Sequence, residues 1–314
     1  MVALCSSGSL INKHVEPESV FSIKALQAGR DNNYPYAYSK YDQYNGDQIN
    51  HVNESLKNIG LSPITLQNKI TVVIPSEELI DLPANLITIN GEICGLVRPM
   101  AMTPSISWLK MAHDTPDNQQ GDRIAWILPG GQSDSTLSVL YENLRPILNT
   151  NKFSVYNKHL PLHSLKESNS TDICIVGGHG GLGFGDSSFG KIVGEDGSHF
   201  SMQQLADIIG GARVIIMLIC SAGRNDIDKF SKRTVGLPFM LLSQGTKTVI
   251  ASPWPIDAVR ASHWCEYFFH YWKESTTIAE AVFKANNEMA KKYSYSMDAL
   301  AMHVYGDPLV VPID

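Results

Sequence analysis

The chain has 314 residues, 43% of them hydrophobic and 18% charged, which is ample material for a core and excludes disorder over the whole length. That length fits one large domain or two ordinary ones. Lys plus Arg total 25 against 31 Asp plus Glu, so the formal charge is −6, and without a basic run the chain is a poor match for phosphate backbones. No apolar stretch approaches the roughly 20 residues that span a bilayer.

The opening MVALCSSGSL lacks the basic start and the apolar stretch of a secretory leader. Five scattered cysteines (Cys5, Cys94, Cys174, Cys220, Cys265) with no CxxC read as reduced thiols, and a cytoplasmic location is expected. The first 60 residues are rich in Asn, Ser and Tyr, with only a short helical signal near 47–58. From Lys69 the pattern changes. The β-branched run to Ile74 predicts a strand closed by Pro75, and 87–89 and 93–97 are further strand candidates. Pro104 suits the first turn of a short helix through 107–111.

The second half alternates. Ile124–Leu128 is a continuous apolar strand ending at Pro129-Gly130-Gly131, and a helix over about 134–148 comes next, capped by Ser133 or Asp134. A strand at 153–156 precedes a second buried strand, Asp172–Val176, which enters Gly177-Gly178-His179-Gly180-Gly181. Ser201-Met202-Gln203-Gln204 is a capping box that opens a helix to about 209. Arg213–Ile219 is the most apolar run of the chain and ends at Cys220-Ser221-Ala222-Gly223. The strand at 248–252 leads to two amphipathic helices, one over about 255–272 and one opened by the box Thr277–Glu280. Apolar strands separated by helices predict a parallel sheet covered on both faces, with chemistry outside the carboxyl ends of the strands.

Three motifs compete for the glycine-rich loop. Residues 178–183 (GHGGLG) match the dinucleotide fingerprint, but residues 184–190 (FGDSSFG) cannot form the helix that would hold a pyrophosphate. Residues 185–191 (GDSSFGK) nearly spell a phosphate loop, yet Ile192 stands where Ser or Thr should hold magnesium. The third reading makes His179 a base and Cys220 a nucleophile. A histidine among glycines has no packing reason to be there, whereas a lone cysteine at a strand end is ordinarily a small core residue. The pairing of two apolar strand ends favours the catalytic reading. His159 and His163 make a poor metal pair with Pro161 between them, and no metal or other cofactor is expected.

Taken together, Gly178-His179-Gly180, Leu218–Gly223, Val249–Asp257 and Tyr305-Gly306-Asp307-Pro308 resemble the CHAT domain, as do the weaker segments 74–83 and 103–109. CHAT domains are caspase-like cysteine peptidases of the clan that includes separases and metacaspases. The resemblance implies a mostly parallel α/β caspase-like sheet with helices on both faces, preceded by a smaller pseudo-caspase-like subdomain. It divides the chain into an arm or insertion (1–62), the N-terminal part of the CHAT-like domain (63–118) and a catalytic part (119–314). It further implies a His179/Cys220 dyad, an oxyanion hole from the N–H groups of Gly180 and Cys220, and substrate contacts from Trp254 and Asp257. Trp254 could equally be a core aromatic, and Asp257 could cap the helix after it.

The implied activity is cleavage of a protein substrate in a regulated bacterial pathway such as antiviral defence or cell death, under an activating or sensor protein. No nucleic acid or membrane partner is expected. An inactive caspase-like scaffold is the alternative. The carboxylates Asp186, Asp226, Asp228 and Asp257, set against Lys191, Arg224 and Arg260, suggest a pocket for Arg or Lys before the cut, and solvated loop charges are the competing explanation.

Overall fold

Uniformly apolar strands can be stable only between two covering layers, and that requirement organises the molecule. The computed structural model describes residues 2–5, 10–12, 70–75, 83–89, 92–116, 121–127, 135–156, 171–182, 189–193, 199–227, 234–273, 276–293 and 297–313. The chain opens with β1 (Val2–Cys5), β2 (Leu10–Asn12) and β3 (Thr71–Ile74). A hairpin of β4 (Thr88–Ile89) and β5 (Glu92–Ile93) leads into α1 (Cys94–Val97), β6 (Met100–Met102) and α2 (Ile106–Asp114). Then come β7 (Asp122–Ile127), α3 (Ser135–Thr150), β8 (Ser154–Tyr156), β9 (Thr171–Leu182) and the hairpin β10 (Phe189–Val193) and β11 (His199–Phe200). Helix α4 (Met202–Ile209) precedes β12 (Val214–Ile219), the hairpin β13 (Asn225–Ile227) and β14 (Thr234–Gly236), and α5 (Leu237–Ser243). The chain closes with β15 (Thr248–Ala251), α6 (Ala258–Tyr271), α7 (Ile278–Lys292) and β16 (His303–Gly306).

Strands β8, β7, β9, β12 and β15 lie side by side in that order and run parallel. Strand β16 is antiparallel to β15; β6 and β3 continue parallel to β16, and β1 and β2 lie antiparallel at the far edge. The result is the expected mostly parallel α/β sheet. The smaller subdomain expected ahead of it is not shown by the described residues, in which β3 and β6 extend the same sheet through β16.

Alternate residues of the central strands face opposite layers. Ile215, Met217 and Ile219 pack with Leu205 and Ile209 of α4 and with Leu237 and Leu241 of α5. Val214, Ile216 and Leu218 pack with Leu144 of α3, Trp264 and Phe268 of α6, and Ala285 of α7. Helices α4 and α7 begin where the sequence predicts, at boxes in which Ser201 and Gln204, and Thr277 and Glu280, cap each other reciprocally. Among the described residues no helix is long and apolar enough to cross a membrane.

Three segments differ from expectation. The run 93–97 is a strand only at Ile93, then turns into α1: the Cys94 N–H donates to the Ile87 carbonyl at 2.8 Å, and Gly95 lies so close to Asn85 that a Cβ would sit 2.7 Å away. Close packing overrides the β-like composition there. Strand β6 forms although Met100–Met102 carries no β-branched signature. Strand β9 continues through the glycines to Leu182, because β7 and β12 pair with its first half and β10 pairs with residues 179–182. His159 and His163 lie outside the described residues.

Candidate active site

The site begins with register. Strands β9 and β12 pair in parallel from Ile173↔Val214 to Gly178↔Ile219, and the next step along each strand carries His179 and Cys220. Neighbouring strands lie about 4.8 Å apart, so these two residues come side by side where β12 ends and β9 passes to its partner β10. Gly177 permits the approach of the covering layer: a Cβ there would meet Ile127 Cδ1 at 2.9 Å and Leu140 Cδ2 at 3.2 Å. Both His179 and Cys220 are half-buried, whereas the residues just before them are buried.

Cys220 opens a tight turn. Ser221 has φ +60°, a left-handed conformation that costs a non-glycine residue on the order of 1–3 kcal/mol unless its surroundings impose it. They do so here mainly through the main chain. The Ser221 N–H donates to the Trp254 carbonyl at 3.2 Å, and the Gly223 N–H to the Ser252 carbonyl at 2.8 Å. The Tyr305 hydroxyl donates to the Gly223 carbonyl at 2.6 Å. Gly223 has no room for a side chain, since a Cβ would lie 2.9 Å from the Ala251 carbonyl oxygen. The loop supplying two of these acceptors is itself closed by the Ser252 hydroxyl, which donates to the Trp254 carbonyl at 2.8 Å.

The thiol of Cys220 donates to the Ile256 carbonyl across 3.8 Å, a long contact even for sulfur. Burial pushes its pKa above the ordinary thiol value. Backbone hydrogen bonding from Ile256 and from Cys220 itself works against that rise, and the charge of Asp257 adds to it. Cys174 and Cys265, fully buried in the core, are pushed further; Cys174 reaches about 12. Of the four cysteines with described side chains, Cys220 is the one that is not fully buried.

Asp257 caps α6 by accepting from the Arg260 N–H at 3.0 Å, in keeping with its position at a helix start, while its charge still acts on Cys220. Trp254 has no exposed surface, and its ring meets His303 edge-on at 5.4 Å. It reaches the site through its carbonyl, not its indole. Arg260 is tied to the buried Asp298 and lies 4.5 Å above the Tyr293 ring. Gly180 faces Ile192 in the β9–β10 ladder and is half-buried. Arg224 is buried, Asp226 falls in β13, and Asp186 and Asp228 lie outside the described residues.

The phosphate-loop match falls partly on β10, a strand paired with β9 and continued by no described helix. Among the described residues no group of three or more His, Cys, Asp or Glu could hold a metal ion. Sequence reasoning missed Ser252 and the hydroxyl of Tyr305, both within motifs already singled out. Tyr305 sits 82 positions from its acceptor, a relation that no local pattern encodes.

No curated protein matches this sequence. Among solved structures, the chain is similar to the separase of Saccharomyces cerevisiae in its complex with securin, with a TM-score of 0.51 at 14% identity over 86% of this chain. This chain spans only 18% of that separase, and the likeness is one of fold. The Arg-specific cysteine proteinase gingipain R (RgpB) of Porphyromonas gingivalis also matches, with a TM-score of 0.45 and 15% identity over 84% of this chain and 68% of that one. The family model of the CHAT domain matches residues 56–305. With the parallel sheet and the strand-end geometry above, this chain belongs to the CHAT-domain family and has a caspase-like fold.

Proposed function

We propose that this chain is a cysteine endopeptidase in which a His179/Cys220 dyad cleaves specific protein partners in the cytoplasm, within a regulated bacterial pathway such as antiviral defence or cell death. The observation that carries the reading is the Gly178↔Ile219 pairing, after which the next residue on each strand is a histidine and a cysteine, side by side where β12 ends. Cys220 Sγ attacks the scissile carbonyl carbon while its proton passes to His179. The oxyanion is held by the N–H groups of Gly180 and Cys220. Collapse breaks the C–N bond, and the leaving amine takes the proton from His179. Water, deprotonated by the same imidazole, then hydrolyses the thioester and returns the thiol.

Because burial raises the Cys220 pKa, the resting nucleophile is a neutral thiol, and proton removal accompanies attack. A site kept in this resting form suits an enzyme that waits for an activating or sensor partner. Asp257, whose charge already reaches Cys220, is the carboxylate that favours a basic residue before the cut. Incubating the protein with a bacterial proteome and reading new protein N-termini tests the proposal. Discrete new termini with the wild type and none with Cys220→Ala support it. No new termini from either protein mean an inactive scaffold, and the same new termini from both remove Cys220 from the chemistry.

A further inference from the structure

The turn that carries Cys220 holds a residue in a costly conformation, and one side chain closes the clamp around it. Ser221 at φ +60° is almost fully buried, so its geometry is imposed by contacts and not by solvent. Four main-chain bonds hold it: the Ser221 N–H donates to Trp254 and the Gly223 N–H to Ser252, while within the turn the Ala222 N–H donates to the Ile219 carbonyl at 3.2 Å and the Arg224 N–H to the Ser221 carbonyl at 3.1 Å. To these the Tyr305 hydroxyl adds a side-chain bond, donating to the Gly223 carbonyl at 2.6 Å within the protein interior. Tyr305 is 2% exposed, edge-on to Phe239 with ring centroids 6.3 Å apart and stacked beside His303 at the same separation. Its backbone pairs with Val249 of β15 and with Met102 of β6. The ring is therefore fixed by two strands and two aromatic neighbours, and the hydroxyl is presented to the turn from a rigid base.

We infer that Tyr305 is a positioning residue for the Cys220 thiol: through Gly223 it keeps Ser221 left-handed and so holds Cys220 in its half-buried place beside His179. The inference rests on Cys220 being the nucleophile of the proposed peptidase, but it concerns where the thiol sits, not what it cuts. Tyr305 touches no reacting atom. Without its hydroxyl, Ser221 can relax toward an ordinary backbone conformation. Sγ then moves out of its buried position toward water, and the thiol returns toward the usual value of about 8.5.

The test is the pH dependence of iodoacetamide alkylation at Cys220, read by peptide mapping in the full chain. In Tyr305→Phe, which keeps the ring and its aromatic contacts, the midpoint of the alkylation profile should move to lower pH than in the wild type. Gly223→Ala pries at the same clamp from the other side, since the added Cβ would sit 2.9 Å from the Tyr305 hydroxyl and equally close to the Ala251 carbonyl oxygen and the Ser252 carbonyl carbon, and should shift the profile in the same direction. It also keeps the test open if Tyr305→Phe does not fold. Glycine adopts the left-handed region freely, so Ser221→Gly combined with Tyr305→Phe should bring the profile back toward the wild type. Trp264→Phe serves as a control: it deletes another buried hydrogen bond, to Asn286 at 2.8 Å, and should leave the profile unmoved.

A wild-type profile in folded Tyr305→Phe or Gly223→Ala overturns the inference, as does an equal shift in Trp264→Phe. Alkylation requires no peptide cleavage. A shifted profile in a protein that cuts nothing would therefore sink the peptidase reading and leave the positioning role standing.

Discussion

At the entry end of β9 and β12, Asp172 Oδ1 accepts from Arg213 Nε at 2.6 Å and is ion-paired with the same guanidinium, with both side chains buried. Arg213 also donates to the Val311 carbonyl at 2.9 Å, and Arg123 to the Ile313 carbonyl at 3.1 Å, so the segment after β16 is tied down there. At the exit end, the same two strands bring half-buried His179, still within β9, beside half-buried Cys220, which opens a buried turn held largely through main-chain hydrogen bonds. One end commits charged side chains to structure. The other assigns the holding chiefly to carbonyls and N–H groups, with the hydroxyls of Tyr305 and Ser252 added. The contrast shows how one strand pair can be rigid along its length and still present chemistry at a single end.

Breaking the entry end should cost stability without touching reactivity. Asp172→Asn leaves Arg213 with an uncompensated buried charge and should lower the unfolding free energy by about 3–5 kcal/mol. Urea unfolding measures this, while alkylation of Cys220 in the folded fraction should proceed at the wild-type rate. Breaking the exit end should do the reverse. On the proposed oxyanion hole, Gly180→Val, whose side chain would obstruct the N–H, should raise the barrier to cleavage by up to about 2.7–4 kcal/mol, with little change in the unfolding midpoint. Unchanged turnover would remove Gly180 from the site.

A third way to sharpen the comparison uses pH. His303 is buried behind the exit end, and burial pushes its imidazole down to about 3, with a backbone interaction from Leu300 pulling the other way. Its folded value lies below the unfolded value of about 6.5, so the unfolded chain binds the extra proton. The associated stability is fully present above pH 6.5 and is lost as pH falls toward 3, at about 1.4 kcal/mol per pH unit in that window. His303→Phe should flatten this acid limb, and an unchanged slope would show that His303 does not carry it. The smallest effect belongs to Asp257→Asn. Asparagine still caps α6, but the carboxylate charge that raises the Cys220 pKa is gone. The alkylation profile should shift to lower pH, and a shift upward would contradict the assigned electrostatics.

Much of this is legible in the sequence, for a physical reason. Runs such as Val214–Ile219 are apolar at every position, and only a strand buried on both faces tolerates that. The rule that chemistry sits beyond the carboxyl ends of such strands then singles out His179 and Cys220 without any knowledge of register. The glycines after Val176 read as a loop because glycine is a poor strand former, but β10 supplies a partner that the local sequence does not announce. Met100–Met102 stays hidden because three residues hold too little pattern. Trp254 and Tyr305 are visible as motif residues, yet their relation to the Cys220 turn depends on contacts between elements far apart in the chain.

The central claim is that His179 and Cys220 form a working pair where β12 ends and β9 passes from β12 to β10, and a short bifunctional alkylator tests it most directly. In 1,3-dibromoacetone the two bromides sit at opposite ends of a three-carbon ketone; the Cys220 thiolate displaces one bromide and an imidazole nitrogen within reach displaces the other. Peptide mapping after brief treatment of the native protein should find Cys220 bridged to His179, and His179→Ala should leave Cys220 singly alkylated. Alkylation of Cys220 in the wild type with no bridge to His179, or with a bridge to another residue instead, would contradict the account.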